Sequence, residues 1–391
     1  MKQPSLRLRS IDAFRALTML LMIFVNDVGN VQNIPAWIDH VEADVDGLGF
    51  ADTIFPAFLF IAGLSLPLAL LHRIQKGATI IALLGYVLLR VAALLTMGFF
   101  QVNMEEYNSE AALLSRPLWS LLVTVCFFLV WIAYPRTLSK SVRYSLTGTG
   151  VAGLLLLAWV YKGGSTEAPQ GMQPHWWGIL GMIGWAYLVC ALVFIAIRDR
   201  LAGVTIAWLL LLALNLFIHA GWLHWYPPVI GEASSVTLMM AGVSTTVMYR
   251  HFTRSNKFTA AFYWLAGAGL ITLAAGFAVR PWAGGISKIY GTPAWVLICT
   301  GISLLVFAAI AWLTDRQGKE KLFAFIQPAG SSTLTCYLLP YIVNPLLWML
   351  HIHYPQWMSE GIAGLIRSML YAIILVRIAG WLEKKQIRLQ I

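Results

Sequence analysis

Between Asn26 and Gly63 the chain places Asp27, Asp39, Glu42, Asp44, Asp46 and Asp52, six of its seventeen carboxylates, together with His40. Four of these carboxylates stand within six residues of His40, a setting that favours the charged imidazole, orients the ring and suits it to act as a general base near working pH. The stretch lies between two long apolar runs, where polar side chains are costly unless binding or chemistry uses them. Asn26 and Asp27 end the first apolar run, where they cap it or line a cavity beneath the acidic loop. Asp52 precedes TIFP, which reads as a helix start with Asp52 as N-cap and Pro56 in the first turn. Further charges, Arg116, Glu232 and Lys288, sit at the ends of later apolar runs where a cavity could open. His175, His219, His224, His351 and His353 lack a comparable carboxylate setting, and the HxH at 351–353 is weak as a metal motif, so no metal site is expected.

These residues have to be positioned by membrane helices. Of the 391 residues, 59% are hydrophobic and 11% charged, with a mean hydropathy of +0.73. That excess of apolar surface is incompatible with a soluble domain and marks a polytopic membrane protein. Spans fall at roughly 10–30, 52–72, 79–100, 117–134, 145–161, 178–197, 202–222, 230–250, 259–279, 293–313, 323–348 and 361–382, so an all-α bundle of about twelve transmembrane helices is expected. The chain shows no fixed-period repeat and no low-complexity tract, so residues 1–391 read as a single domain. The first run contains Asp12 and Arg15, which can pair on one helix face, and lacks a small-residue cleavage site; it reads as a retained helix. Gln327 to Thr333 interrupts span 11 with small and hydroxyl residues, as in helices that pack closely or open a ligand path. The four cysteines fall inside spans without metal or redox spacing and read as core.

Charge orients the bundle. Arg7, Arg9, Arg73, Lys76, Arg136, Lys140, Arg143, Arg198, Arg200, Arg250, Arg254, Lys257, Arg316, Lys319, Lys321, Lys384, Lys385 and Arg388 all fall on one side, which the positive-inside rule makes cytoplasmic. Both termini are then cytoplasmic, and the acidic stretch faces the periplasm or lumen. Orientation also accounts for most of the +10 net charge, so nucleic acid is not an expected partner. Tryptophans and tyrosines gather at the outer span ends, as interfacial anchors do.

RLRSIDAFRALTMLLMIFVNDVG, followed by a loop histidine and DGLGFADTIFPAFLFIAGLSL, resembles the signature of the heparan-α-glucosaminide N-acetyltransferase family. GILGMIGWAYLVCALVF, YPPVIGEASSVTLMMAGV, ISKIYGTPAW and QPAGSSTLTCYLLPYI resemble later segments of that family in the right order. The resemblance implies transmembrane acetylation, with acetyl-CoA supplied from the cytoplasm and the amine of a glucosamine-type sugar acetylated on the far side. It implies a multi-pass protein of the bacterial inner membrane whose partners are the sugar, coenzyme A and the bilayer, with monomer or homodimer left open. His40 corresponds to the family's catalytic histidine, as base or transient acetyl carrier, and Asp52 would fix or polarise it. Asn26, Asp27, Asp46, Glu232 and Lys288 are then the candidates for substrate binding. Arg7, Arg9, Arg15, Arg250 and Arg254 are the candidates for the anionic coenzyme A, although topology alone also accounts for basic residues at that rim. The alternative is an inner-membrane transporter of N-acetylglucosamine or a related sugar, which twelve spans and interrupted helices would suit. A charged cluster on one side, without paired charges at the midplane, favours the enzyme.

Overall fold

The computed structural model describes residues 8–391. Apolar runs bounded by proline, hydroxyl or charged residues satisfy their backbone internally as helices, as a bilayer demands. They form α1 (Arg9–Val28), α2 (Ala51–Gln75), α3 (Ile80–Asn103), α4 (Arg116–Trp131), α5 (Lys140–Trp159), α6 (Gly178–Ile197) and α7 (Leu201–His219). There follow α8 (Ser234–Arg254), α9 (Phe258–Val279), α10 (Pro293–Ala311), α11 (Gln327–Ser331), α12 (Thr333–Leu338), α13 (Pro340–Met349) and α14 (Gly361–Lys384). The only sheet among the described residues is the short antiparallel pair β1 (Gly163–Gly164) and β2 (Pro169–Gln170). Local chemistry sets several boundaries. Pro117 and Pro293 open α4 and α10, the Thr79 hydroxyl accepts the Ala82 amide at the start of α3, and Asp315 accepts from the Ser10 amide (3.1 Å) and hydroxyl (2.6 Å) at the start of α1.

Among the described residues, seven helices are long and apolar enough to cross a membrane: α2, α3, α6, α7, α9, α10 with its continuation to Arg316, and α14. The chain is therefore an all-α, multi-pass membrane protein. The expected spans all fall on helices, but α1, α5 and α8 are too polar to meet the same criterion and α4 is shorter. Span 11, expected as one helix, is broken. Ser332, at φ −121° and ψ 44°, leaves the helical region between α11 and α12, and Pro340 opens α13.

The buried centre is made by α1, α2, α8 and α10, whereas α7 and α9 remain at the periphery with little of their apolar surface covered. Glycines decide how closely α2 and α8 approach. A Cβ on Gly63 would collide with the Met239 carbonyl, and one on Gly242 with the Phe60 carbonyl, so the two backbones touch where neither carries a side chain. Thr246 seals this crossing by donating to the Leu64 carbonyl at 2.7 Å.

Candidate active site

The 29–50 segment folds back over the start of α2, with the Phe50 and Ala51 amides donating to the Trp37 (2.7 Å) and Ile38 (3.2 Å) carbonyls. Gly49 lies so close to the Asp39 carbonyl that no Cβ fits there. This fold brings His40 onto Asp52: Nδ1 lies 2.6 Å from Asp52 Oδ1. The other carboxylate oxygen accepts the backbone amides of Val41 (3.0 Å) and Gly49 (3.2 Å). Asp52 is only 2% exposed, while the His40 side chain is 42% exposed.

The expectation that Asp52 caps α2 is corrected. The helix begins at Ala51 with Phe50 as its cap residue, so Asp52 lies inside it, and Pro56 falls in the second turn. The carboxylate turns back to the preceding loop and His40. Pro56 has a different consequence: it has no N–H for the Asp52 carbonyl four residues earlier, and the Trp295 indole nitrogen takes that place at 3.3 Å.

Lys288 arrives from the 280–292 loop. Its Nζ is 3.1 Å from His40 Nδ1 and 3.6 Å from Asp52 Oδ1, with the side chain 25% exposed. Burial pushes its ammonium pKa down, partly opposed by Asp52. With Asp52 ionised, the ring proton belongs on Nδ1, and Nε2 is the nitrogen left to accept a proton or attack a carbonyl.

The other sequence candidates divide. Asp46 joins the two loops, accepting from Arg280 Nε (2.9 Å) and the Ile286 amide (2.7 Å), and these two partners hold its carboxyl below the usual range. Glu232 contributes its backbone carbonyl, which accepts from Asn215 Nδ2 at 2.6 Å, and its carboxyl lies beside the Tyr226 hydroxyl. Asp27 instead pairs with Arg367 Nη2 (2.6 Å) and the Ser368 hydroxyl (2.6 Å) of α14, and Asn26 beside it is exposed. The contacts of Asp27 therefore run to α14 and not to His40.

Sequence reasoning missed Asn215 and gave no weight to His219. Asn215 Nδ2 also donates to the Gly291 carbonyl (3.0 Å), and His219 Nε2 meets the Tyr290 carbonyl (2.8 Å), so α7 fastens the loop that carries Lys288. Asn215 was detectable as the amide interrupting LLLLALNLFIH, since a polar side chain inside an apolar span needs a partner.

Toward the end of the bundle that carries Arg73 and Lys76, a cavity of about 320 Å³ opens between α1, α2, α3, α6 and the broken α11–α12. Arg15, Ser65, Arg90 and Tyr187 supply polar atoms to its wall. Arg15 donates to Ser65 Oγ (2.6 Å), to the Gly330 carbonyl (3.2 Å) and to Asp12 (3.2 Å), the pairing expected from the sequence. Gly330 also packs against α1, so the interrupted span both packs closely and lines the cavity. Arg90 Nε is buried without a hydrogen-bond partner among the described residues, and the buried Tyr187 hydroxyl has Tyr86 as its polar neighbour. Of the other cationic candidates, Arg9 pairs with Glu320, Arg254 lies 3.5 Å from Asp199, and Arg250 is buried with Nη1 unpartnered among the described residues. Arg7 lies outside the described residues.

Residues 7–172, which include His40 and Asp52, match a family described as a domain of unknown function, DUF5009. The chain is also 38% identical to human heparan-α-glucosaminide N-acetyltransferase over 97 residues, and 37% identical to the mouse protein over a stretch of the same length. Each match spans 25% of this chain and 14% of the relative. These likenesses agree with the resemblance drawn from the sequence motifs, and over this stretch the chain is similar to heparan-α-glucosaminide N-acetyltransferase.

Proposed function

We propose that this chain is a transmembrane acetyltransferase that moves an acetyl group from acetyl-CoA on the cytoplasmic side to the amine of a glucosamine-type sugar on the far side. Twelve helices cross the membrane in this reading, as a single domain in the bacterial inner membrane with both termini cytoplasmic. The observation that carries it is the 2.6 Å contact between His40 and a buried Asp52 at the end of the bundle away from the basic rim. The similarity to an N-acetyltransferase supports the same reaction class.

The donor site would be the cavity with Arg15 and Arg90. Its apolar wall suits a thioester arm, while the two guanidiniums and the Tyr187 hydroxyl suit phosphate or amide oxygens. Arg9, Arg250 and Arg254 stand nearer the cytoplasmic rim, where the nucleotide end would lie. Phe58 of the cavity wall is six residues from Asp52 along α2, roughly 9 Å at the helical rise. An extended arm reaching up from the cavity thus brings its thioester toward His40. There Nε2 accepts the proton of the attacking amine as the N–C bond forms; the C–S bond breaks, and the released thiolate takes up a proton. Asp52 holds Nδ1–H and stabilises the imidazolium formed in that step. A covalent route through acetylated His40 uses the same nitrogen.

The test is His40→Ala in proteoliposomes with acetyl-CoA inside and glucosamine outside, measuring N-acetylglucosamine directly. Loss of general-base assistance should lower the rate by about 10²–10⁴-fold, and loss of a covalent carrier by more. Raising the pH should partly rescue the variant if His40 is only a base, because more of the sugar amine is then deprotonated. Full activity in His40→Ala, or sugar uptake without acetyl-CoA and without product, would favour the transporter reading.

A further inference from the structure

We propose that Lys288 is the positioning residue of this site: its ammonium holds the charge of Asp52 so that His40 stays uncharged, with its proton on Nδ1 and Nε2 open. The inference rests on the acetyltransferase reading and adds a residue role to it. The geometry leaves few alternatives. The single proton on Nδ1 is donated to Asp52 Oδ1 at 2.6 Å, and the Lys288 ammonium, a donor with no lone pair, accepts nothing from the ring at 3.1 Å. Lys288 instead answers the carboxylate at 3.6 Å. Asp52 and Lys288 then sum to zero, and a third, positive charge on the ring would face an ammonium at contact distance in a site closed on the Asp52 side. Without Lys288 the balance reverses. The isolated carboxylate would stabilise an imidazolium, both ring nitrogens would carry protons, and the base would be lost.

Other charges facing the ring do not substitute for it. On its own loop stand Asp39, whose Oδ1 accepts the His40 amide at 2.7 Å, with Glu42 and Asp44, all of which favour the imidazolium. Asp46 is occupied by Arg280. From α10 the titratable neighbour of Asp52 and Lys288 is the buried Cys299 thiol, which supplies no cation. Lys288 is thus the cation in contact with the ring among the described residues. It is also firmly held, because the residues around it are tied on both sides. Ile286 donates to Asp46 and Ser287 to Thr292 Oγ1 (3.0 Å), while the Tyr290 and Gly291 carbonyls accept from His219 and Asn215. A lysine left only to meet a substrate would not need four anchors.

The pH dependence of kcat tests this, with Lys288→Met and Lys288→Arg compared with the parent protein in the proteoliposome assay. Lys288→Met should lose up to about tenfold at neutral pH and recover as the pH rises, its acid limb displaced upward by about one unit. Lys288→Arg should keep the acid limb near its original place, and KM for the sugar should change no more than about threefold. Lys288→Cys, alkylated with 2-bromoethylamine, restores an ammonium at nearly the same reach and should regain activity on modification. That comparison is internal to one folded sample and stands even if Lys288→Met does not fold. A pH-independent loss, a loss confined to sugar KM, or no gain on alkylation would overturn the role of Lys288. Activity retained in His40→Ala would instead overturn the reading beneath it.

Discussion

Replacing Asp52 by Asn changes two protons and almost no volume, and the geometry gives its cost. The carboxylate accepts three hydrogen bonds, from His40 Nδ1 and from the Val41 and Gly49 amides, and faces the Lys288 ammonium. An amide offers one acceptor oxygen. Turned so that this oxygen meets the two backbone amides, it presents its NH2 to His40, whose ring must then accept at Nδ1 and carry its proton on Nε2. Turned the other way, it leaves two amides facing an N–H group. The first arrangement costs least and selects the wrong tautomer for a base at Nε2. Lys288 also loses its counter-charge. Removing one partner of a fully buried pair costs about 3–5 kcal/mol, and since His40 and Lys288 are partly open to water, a loss of about 2–4 kcal/mol is expected here. The rate should fall about 10²–10⁴-fold through the tautomer alone. Product formation in proteoliposomes measures the rate, and thermal unfolding in detergent measures the stability. An Asp52→Asn protein with unchanged midpoint and a rate within about threefold of the parent would refute the reasoning, because neither the charge nor the tautomer could then matter.

Two further outcomes are expected. Asp46→Asn should destabilise by about 0.2–1 kcal/mol at pH 7, the range of part-exposed ion pairs; because its partners depress the folded-state pKa of Asp46, this contribution is present above the usual carboxylate range and vanishes as pH falls through the folded value, so the midpoints of the two proteins should converge in acid. Acetyl-CoA, but not acetate, should raise the unfolding midpoint, and Arg15→Ala or Arg90→Ala should shrink that shift without moving the pH profile; equal shifts in all three proteins would place the donor elsewhere.

Helix positions were legible because a bilayer asks for uninterrupted apolar length, and little else satisfies the backbone there. The polar helices were harder to classify. α8 carries Thr237, Ser244, Thr245 and Thr246, which make it unlike a lipid-facing span, yet residues from Val236 to Arg250 are buried and the threonine hydroxyls donate to carbonyls of α8, of its cap residue Ala233 or of α2. His40 was legible from its carboxylate neighbours, but the carboxylate that holds its ring is the more distant Asp52, and nearby Asp46 serves another loop. The misreading of Asp52 as a cap came from Pro56, which suggests a first turn in sequence but in fact frees a carbonyl for Trp295. Lys288 meets His40 across 248 residues and Arg367 meets Asp27 across 340, pairings that tertiary packing alone creates.

The pairing of charges also explains how an acidic cluster can sit beside a base without disabling it. Asp27 is matched by Arg367, Asp46 by Arg280 and Asp52 by Lys288, each through a residue remote in sequence. What remains beside His40 is Asp39, whose carboxylate is bonded to a backbone amide, and the exposed Glu42 and Asp44. Exposed charges act through water and are screened, so their effect on the ring is weak compared with an ammonium at 3.1 Å. Their summed field still extends into solvent, where it attracts a protonated amine toward the site. The arrangement separates two demands that conflict in one place. The outer loop gathers a cation, while the contact pair of Asp52 and Lys288 keeps the ring neutral so that Nε2 can take the proton the amine sheds as the N–C bond forms.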